Sequence, residues 1–172
     1  MSPFSTPLTK TLQEMTARDF TLFFGPTATS LKLNFVHPPR HVQKLQLLSL
    51  FYPYSGTAGV FGHFCIQAQS TTQSVGRINK NSCIYQNYAS GIDVIFPYLG
   101  SCPITLPADA GTFAYEFGHD DVTAYNPPLL ILNDLTFEVE FIEGRGLSSS
   151  IGVTALKSVV LTVRITAEEW GD

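Results

Sequence analysis

Charged residues are scarce in this sequence. Asp, Glu, Lys and Arg make up 14% of its 172 residues, whereas an average soluble domain contains about 25%. Aromatic residues reach 12%, which excludes an intrinsically disordered chain, because such chains are rich in charge and poor in aromatic side chains. A long coiled coil is also excluded, since its repeats require many Glu, Lys and Arg residues. The formal net charge of -4 argues against a protein that binds nucleic acid by neutralising phosphates.

Long apolar runs and paired cysteine motifs are missing as well. No stretch approaches the roughly 18 consecutive apolar residues of a membrane span, so we expect none. Residues 1–19 lack the apolar segment of a secretory signal, and we therefore expect reduced thiols in an intracellular setting. Cys65, Cys83 and Cys102 do not have the spacing of a zinc site. A disulfide between Cys83 and Cys102 stays open as an alternative.

Recognisable catalytic signatures are absent. The sequence contains no GxSxG motif and no grouping of Ser, His and Asp that is typical of hydrolases with a nucleophilic serine. The stretch Glu143-Gly144-Arg145-Gly146 is rich in glycine but lacks the spacing of a phosphate-binding loop, and we interpret it as part of a hairpin loop. We therefore predict that the protein is not an enzyme and has no catalytic residues.

Potential metal ligands are scattered along the chain. The four histidines are isolated from one another, at His37, His41, His63 and His119. The densest polar cluster is Gly118-His119-Asp120-Asp121, which fits either a metal or acid–base site or a solvated loop at the end of a strand. We favour the loop, because loops collect Asp, Asn and Gly. We therefore predict no metal site and no cofactor.

Short segments with alternating apolar and polar residues indicate β-strands separated by Gly, Pro and Asn. Residues 19–24 are predicted to begin the compact fold, and the predicted strands are residues 31–35, 42–52, 60–69, 83–88, 91–98, 113–117, 135–142 and 159–165. The predicted loops and breaks are residues 37–39, 55–59, 70–82, 102–111, 126–128 and 143–152. Within residues 42–52, Val42 and Leu48 are predicted on the face opposite Leu45 and Leu47, although these leucines also fit a helix.

One domain accounts for nearly the whole chain. Residues 1–18 are polar, and we predict a flexible N-terminal arm in which residues 11–18 form a short helix if Leu12 and Met15 share a face. Residues 19–172 are predicted to form an all-β, antiparallel β-sandwich, because no amphipathic helices lie between the strands. Eight strands arranged as a jelly roll are a common solution at this length.

The composition also indicates an assembly of several copies. Interface cores are enriched in aromatic residues and depleted in Lys, Glu and Asp, and this chain combines 13 Phe and 7 Tyr with little charge. We therefore expect a surface that is buried in a partner. The alternative is a monomer whose surface is covered by Ser, Thr, Asn and Gln.

Two stretches resemble the single jelly-roll, penton-type capsid proteins of DNA viruses whose major capsid proteins are also jelly rolls. Residues 42–55, VQKLQLLSLFYPYS, resemble an early strand that ends near a proline and is followed by a loop and an aromatic strand, here residues 61–69. Residues 127–141, PPLLILNDLTFEVEF, resemble a later strand preceded by prolines. One departure is Glu143-Gly144-Arg145-Gly146, which replaces the acidic turn expected after that strand.

The resemblance implies a capsid building block of the virion, assembled inside the host cell. Its partners would be further copies of the same chain, as a homopentamer first and a trimer second, together with other capsid proteins. Two alternatives remain. One is a non-catalytic jelly-roll binding module, either carbohydrate- or receptor-binding or a trimeric, cytokine-like protein. The other is a cupin-like metalloenzyme, which the scattered histidines argue against.

Overall fold

Strands dominate the structure of this chain. The computed structural model describes residues 15–25, 28, 30–54, 60–87, 92–106, 109–119, 121–143, 148–149 and 159–171. Within these ranges the strands are β1 Thr16–Phe23, β2 Ser30–Asn34, β3 Arg40–Tyr54, β4 Val60–Gln69, β5 Asn81–Asn87, β6 Ile92–Tyr98, β7 Gly100–Leu106, β8 Gly111–Glu116, β9 Val122–Ile131, β10 Asp134–Glu143, β11 Ser148–Ser149 and β12 Val160–Glu169. One helical turn, α1 Val75–Ile78, lies between β4 and β5.

Ten of these strands form two five-stranded sheets. Sheet A has the order β1-β12-β3-β8, and β9 also pairs with β3. Sheet B has the order β11-β10-β4-β7, and β2 also pairs with β10. The hairpin formed by β5 and β6 is a separate two-stranded sheet. All of the pairings are antiparallel, which confirms the predicted all-β, antiparallel sandwich.

The pairing of strands is nested along the chain. The innermost pair is β4 with β7, outside it β3 pairs with β8 and β9, then β2 pairs with β10, and finally β1 pairs with β12. The described residues contain twelve strands where about eight or nine were predicted; β5 and β6 were among the predicted strands, whereas β7, β9 and β11 were not.

One hydrophobic core joins the two sheets. Leu135 and Phe137 of β10 and Leu161 and Val163 of β12 are at most 1% exposed. In each strand these residues alternate with less buried neighbours, as the two-residue period of a strand requires. The alternation that predicted strands at 135–142 and 159–165 therefore places their apolar residues in the core.

Strand β3 departs from simple alternation. Its pairing with β12 shifts register twice, so that Gln43 and Leu48 have no partner in that ladder. Each extra residue is a β-bulge, which rotates the following side chains to the other face. Consequently the buried residues of β3 are Val42, Leu45, Leu47, Leu50 and Tyr52. The prediction that Val42 lies opposite Leu45 and Leu47 is wrong, because it assumed an unbroken two-residue period.

Two predicted interruptions are strands in the structure. The predicted loop 102–111 contains most of β7, Gly100–Leu106, which pairs with β4. β7 lies at the edge of sheet B, where Pro103 does not interrupt a central ladder. The predicted break at 126–128 lies within β9, whose pairing with β3 shifts register between Val42 and Lys44. Both prolines are thus accommodated in an irregular stretch of strand.

Two further segments differ from the prediction. Residues 70–82 were expected to be loop, but they include α1 and the first residues of β5. The helix expected over residues 11–18 is wrong for its last residues, because Thr16 begins β1. Residues 1–14 of the predicted arm lie outside the described residues, as do the predicted loop 55–59 and residues 144–147 and 150–152 of the predicted loop 143–152. None of the helical residues that the structure describes forms a segment long and apolar enough to span a bilayer.

Candidate interaction surface on the outer face of sheet A

The outer face of sheet A carries a row of apolar side chains across four neighbouring strands. Phe23 of β1 pairs with Val160 of β12, Val160 pairs with Phe51 of β3, and Phe51 pairs with Ala114 of β8. Residues that pair directly across antiparallel strands share one face of the sheet. Phe23 is 70% exposed and Phe51 is 44% exposed. We call these four residues the apolar row.

The apolar row points away from the core because its strand neighbours point into it. Leu22, Leu161, Leu50 and Tyr52 flank the row in sequence, and each is at most 5% exposed. A strand turns successive side chains to opposite faces. Contiguous exposed apolar surface is typical of a binding interface, whereas single exposed apolar residues are ordinary. The apolar row is therefore the part of sheet A best suited to contact a partner.

The remainder of this face offers little free charge. The neighbouring row contains Thr21, Thr162, Ser49 and Glu116. Beyond it, Arg164 donates to both carboxylate oxygens of Asp19, from Nε at 2.7 Å and from Nη2 at 2.8 Å. The hydrogen bond from Arg164 lowers the pKa of Asp19 below its ordinary value. These two charges satisfy each other, so the exposed charges that a partner covering this face would have to desolvate are Glu116 and Lys44.

The structure does not bring the four histidines together. His37, His63 and His119 are exposed on different segments. His41 adopts a left-handed backbone conformation with φ 50°, and its Nδ1 lies 3.4 Å from Oε2 of Glu168. Among the described residues, no group of three or more His, Cys, Asp or Glu side chains is arranged to hold a metal ion.

The cluster at residues 118–121 forms a turn between β8 and β9. The backbone N–H of Gly118 donates to Oδ2 of Asp121 at 2.8 Å, and the N–H of Asp121 donates to the carbonyl of Gly118 at 3.1 Å. His119 is exposed, and Asp120 lies outside the described residues. The Asp121 carboxylate is thus engaged in closing the turn, which agrees with a solvated loop at a strand end.

Two of the cysteines lie in the interior. Cys65 is 3% exposed, and Cys102, which is 0% exposed, is a thiol. Burial raises the pKa of the Cys102 thiol to about 12. Because Cys102 is a free thiol, the alternative of a Cys83–Cys102 disulfide is wrong. A thiol with so high a pKa forms little thiolate near neutral pH, so Cys102 is suited to packing rather than to nucleophilic chemistry.

Asp134 is the most heavily bonded buried carboxylate in the described part of the chain. Its Oδ1 accepts hydrogen bonds from Ser70 Oγ at 3.0 Å, Thr71 N at 2.9 Å and Thr71 Oγ1 at 2.8 Å. Its Oδ2 lies 2.8 Å from Lys32 Nζ. These contacts tie the segment after β4 to β2 and β10. No sequence motif pointed to this cluster, because its members are distant in sequence.

The stability of the fold should fall in acid because of Asp134. Burial alone would raise the pKa of this carboxyl group, but Lys32, Thr71 and Ser70 together hold it well below its ordinary value. A carboxyl group with a depressed folded-state pKa stabilises the protein above its unfolded pKa of about 3.9, and this contribution is lost as the pH falls further. Urea melts between pH 7 and pH 2 should show this loss, and Asp134→Asn should reduce it. An unchanged pH profile in Asp134→Asn would contradict the role.

Trp170 packs against the start of β1. Its indole Nε1 donates to the carbonyl of Thr16 at 2.9 Å. The Phe20 ring lies 5.9 Å from the Trp170 ring, and the Arg18 guanidinium carbon lies 4.7 Å from the same ring. The Trp170 side chain therefore packs on the domain. Elsewhere in the fold, the side chain of Arg77 in α1 donates a hydrogen bond to the backbone carbonyl of Pro127 in β9.

Comparison with known proteins adds no family to this description. No protein-family model matches the chain, and no curated protein has significant similarity to it.

Proposed function

We propose that this chain is a structural subunit of a viral capsid, of the single jelly-roll penton type, that assembles into a closed homo-oligomer. Five copies are preferred. In this role the protein supplies surfaces that fit together and performs no catalysis. The proposal rests on the resemblance of residues 42–55 and 127–141 to such proteins and on two features of the fold.

The first supporting feature is the nested order of strands. When β5, β6, β9 and β11 are set aside, the remaining eight strands are β1 to β4 and their partners β7, β8, β10 and β12. A chain that runs out through four strands and returns beside each of them, alternating between two sheets, has the topology of a jelly roll. This supports the assignment to the jelly-roll class but not to one function within it.

The apolar row is the observation that carries assembly. Burial of Phe23 and Phe51 in a contact would stabilise that contact by roughly 25 cal/mol for each square ångström of apolar surface removed from water. A ring requires a heterologous contact, in which one patch meets a different patch on the next copy. We assign the apolar row to one side of that contact, which should bury at least about 1,000 Å² in total.

The mass of the protein in solution tests the proposal directly. We expect light scattering at micromolar concentration to give the mass of five chains. Three chains would favour the jelly-roll binding module instead, and a single chain would contradict assembly. Peptide mass spectrometry of particles purified from the source organism tests the capsid role separately, and absence of this chain from such particles would contradict it.

Substitutions in the apolar row should weaken the oligomer. The double variant Phe23→Ser, Phe51→Ser removes two exposed aromatic side chains, and full burial of each is worth about 1.5–3 kcal/mol. We expect the dissociation constant to rise at least about tenfold for each phenylalanine that the contact buries. Val36→Ser is the matched control, because Val36 is 88% exposed and lies outside the apolar row. Equal oligomer stability in all three proteins would show that the apolar row is not the interface.

A further inference from the structure

A groove lies where β12 ends beside the segment that joins β2 to β3. Two adjoining clefts of about 270 and 240 Å³ share His37, Trp170 and Gly171 among their lining residues. The chain passes closely here, since a Cβ atom added to Gly171 would lie 2.4 Å from Cβ of His37. The two clefts therefore share a wall formed by these residues, and we call the pair of clefts the Trp170 groove.

Cationic side chains line both halves of the Trp170 groove. Arg40, with Glu169, lines one half, and Arg18 lines the other. Among the described lining residues, two guanidinium groups stand against one carboxylate, so this lining is formally positive, although the whole chain carries -4. Low-dielectric walls around one sign of charge concentrate the field of that charge and attract ions of opposite sign.

Two of these polar groups have no partner within the described part of the chain. The side chains of Arg40 and His37 are exposed and form no hydrogen bond or ion pair with any residue that the structure describes. By contrast, Arg164 is held by Asp19, and Lys32 is held by Asp134. The guanidinium fork of Arg40 is therefore available to an external acceptor.

The walls between the cationic groups are apolar and aromatic. Trp170 lines both halves, Val36 lines one half and is 88% exposed, and Ile131 lines the other half. Small-molecule sites typically combine such walls with a few convergent polar groups. Each half lies just below the roughly 300 Å³ at which such pockets begin, so the groove suits a small group rather than a large cofactor.

We propose that the Trp170 groove binds an oxyanion, a carboxylate or a phosphate, that is carried on a ring or another compact apolar group. Arg40 binds two oxygens of the anion through its planar fork. His37 donates a further hydrogen bond, and Trp170 and Val36 contact the apolar part of the ligand. This site is independent of the proposed capsid function and does not require the chain to assemble.

The protein carries its own reporter for this site, because Trp170 is its single tryptophan. We expect the ratio of the iodide to the caesium quenching constant to be at least about twofold higher for Trp170 than for free N-acetyltryptophanamide at equal ionic strength. Arg40→Gln should lower the iodide quenching constant and leave quenching by neutral acrylamide unchanged. Lys44→Gln, which removes one exposed positive charge from the same strand outside the groove, is the matched control. A ratio no higher than that of free N-acetyltryptophanamide would overturn the positive character of the groove.

Titration with small ligands tests binding itself. Phenyl phosphate and benzoate carry the two head groups on a ring, and benzyl alcohol is the neutral comparison. We expect saturable fluorescence changes with at least one anion, which identifies the preferred head group, and none with benzyl alcohol. Arg40→Gln should weaken binding by at least about tenfold, because it removes the charge-assisted hydrogen bonds of the guanidinium fork, and His37→Gln should weaken it less. Failure of both anions to saturate, or equal weakening by Lys44→Gln, would overturn the proposal.

Discussion

Phe137→Ala should destabilise the protein by about 3–5 kcal/mol, the range found when a buried aromatic side chain is replaced by alanine. Phe137 is 0% exposed and lies in β10, between Leu31 of β2 and Ala68 of β4. The substitution removes the apolar area of the ring and leaves a cavity, because the surrounding strands are held by ladders on both edges. Chemical denaturation at neutral pH measures the change in the free energy of unfolding.

The neighbouring residue supplies the control for Phe137. Thr136 lies on the same strand but is half-buried on the outer face, so Thr136→Ala should cost no more than about 0.5 kcal/mol. If the free energies of unfolding of Phe137→Ala and Thr136→Ala differ by less than about 1 kcal/mol, the assignment of Phe137 to the core-facing side of β10 is wrong.

Asn79→Ala should destabilise the protein by about 2–4 kcal/mol, because it leaves buried backbone groups without partners. Asn79 is 4% exposed. Its Oδ1 accepts from the N–H of Ala68 at 3.0 Å, and its Nδ2 donates to the carbonyls of Ala68 at 2.7 Å and Val75 at 3.1 Å. The Asn79 side chain thus occupies the place of a neighbouring strand beside Ala68, which is 0% exposed.

Asn81 offers a matched comparison two residues further along the chain. Its Nδ2 donates to the carbonyl of Leu99 at 3.2 Å, but the residue is exposed. Water can replace that hydrogen bond, so we expect Asn81→Ala to cost at most about 1 kcal/mol. Thermal and urea melts of both variants measure the difference, and similar losses in the two would show that burial of the Asn79 bonds is unimportant.

The sequence predicts best those strands whose two faces differ in polarity. In β10, Leu135 and Phe137 alternate with Thr136 and Glu138, and β12 follows the same rule. In a half-buried strand, apolar and polar residues alternate along the sequence with the two-residue period of the strand. In β3 the rule fails, because the bulges at Gln43 and Leu48 place leucines at irregular spacing on one face. The local sequence does not encode those bulges, since they depend on the register with β12.

The apolar row and the Trp170 groove could not be predicted from sequence patterns, because they too depend on how the strands pair. Phe23, Phe51 and Val160 are far apart in the chain and form the apolar row only through the register of β1, β12 and β3. Likewise, Arg40 and Trp170 line the same cleft because the end of β12 lies beside the start of β3. Composition indicated that an apolar surface should exist, but topology decides where it lies.

The nested pairing of strands also constrains the order in which the fold forms. Among the described strands, β1 pairs only with β12, and Asp19 and Arg164, which form an ion pair across this ladder, are 145 residues apart. Closing so long a loop costs entropy before the contact stabilises anything, and folding dominated by such contacts is slow. During synthesis, β1 is therefore made long before β12, the strand with which it pairs. Arg18 and Asp19 in the middle of β1 provide charge against premature pairing during that interval.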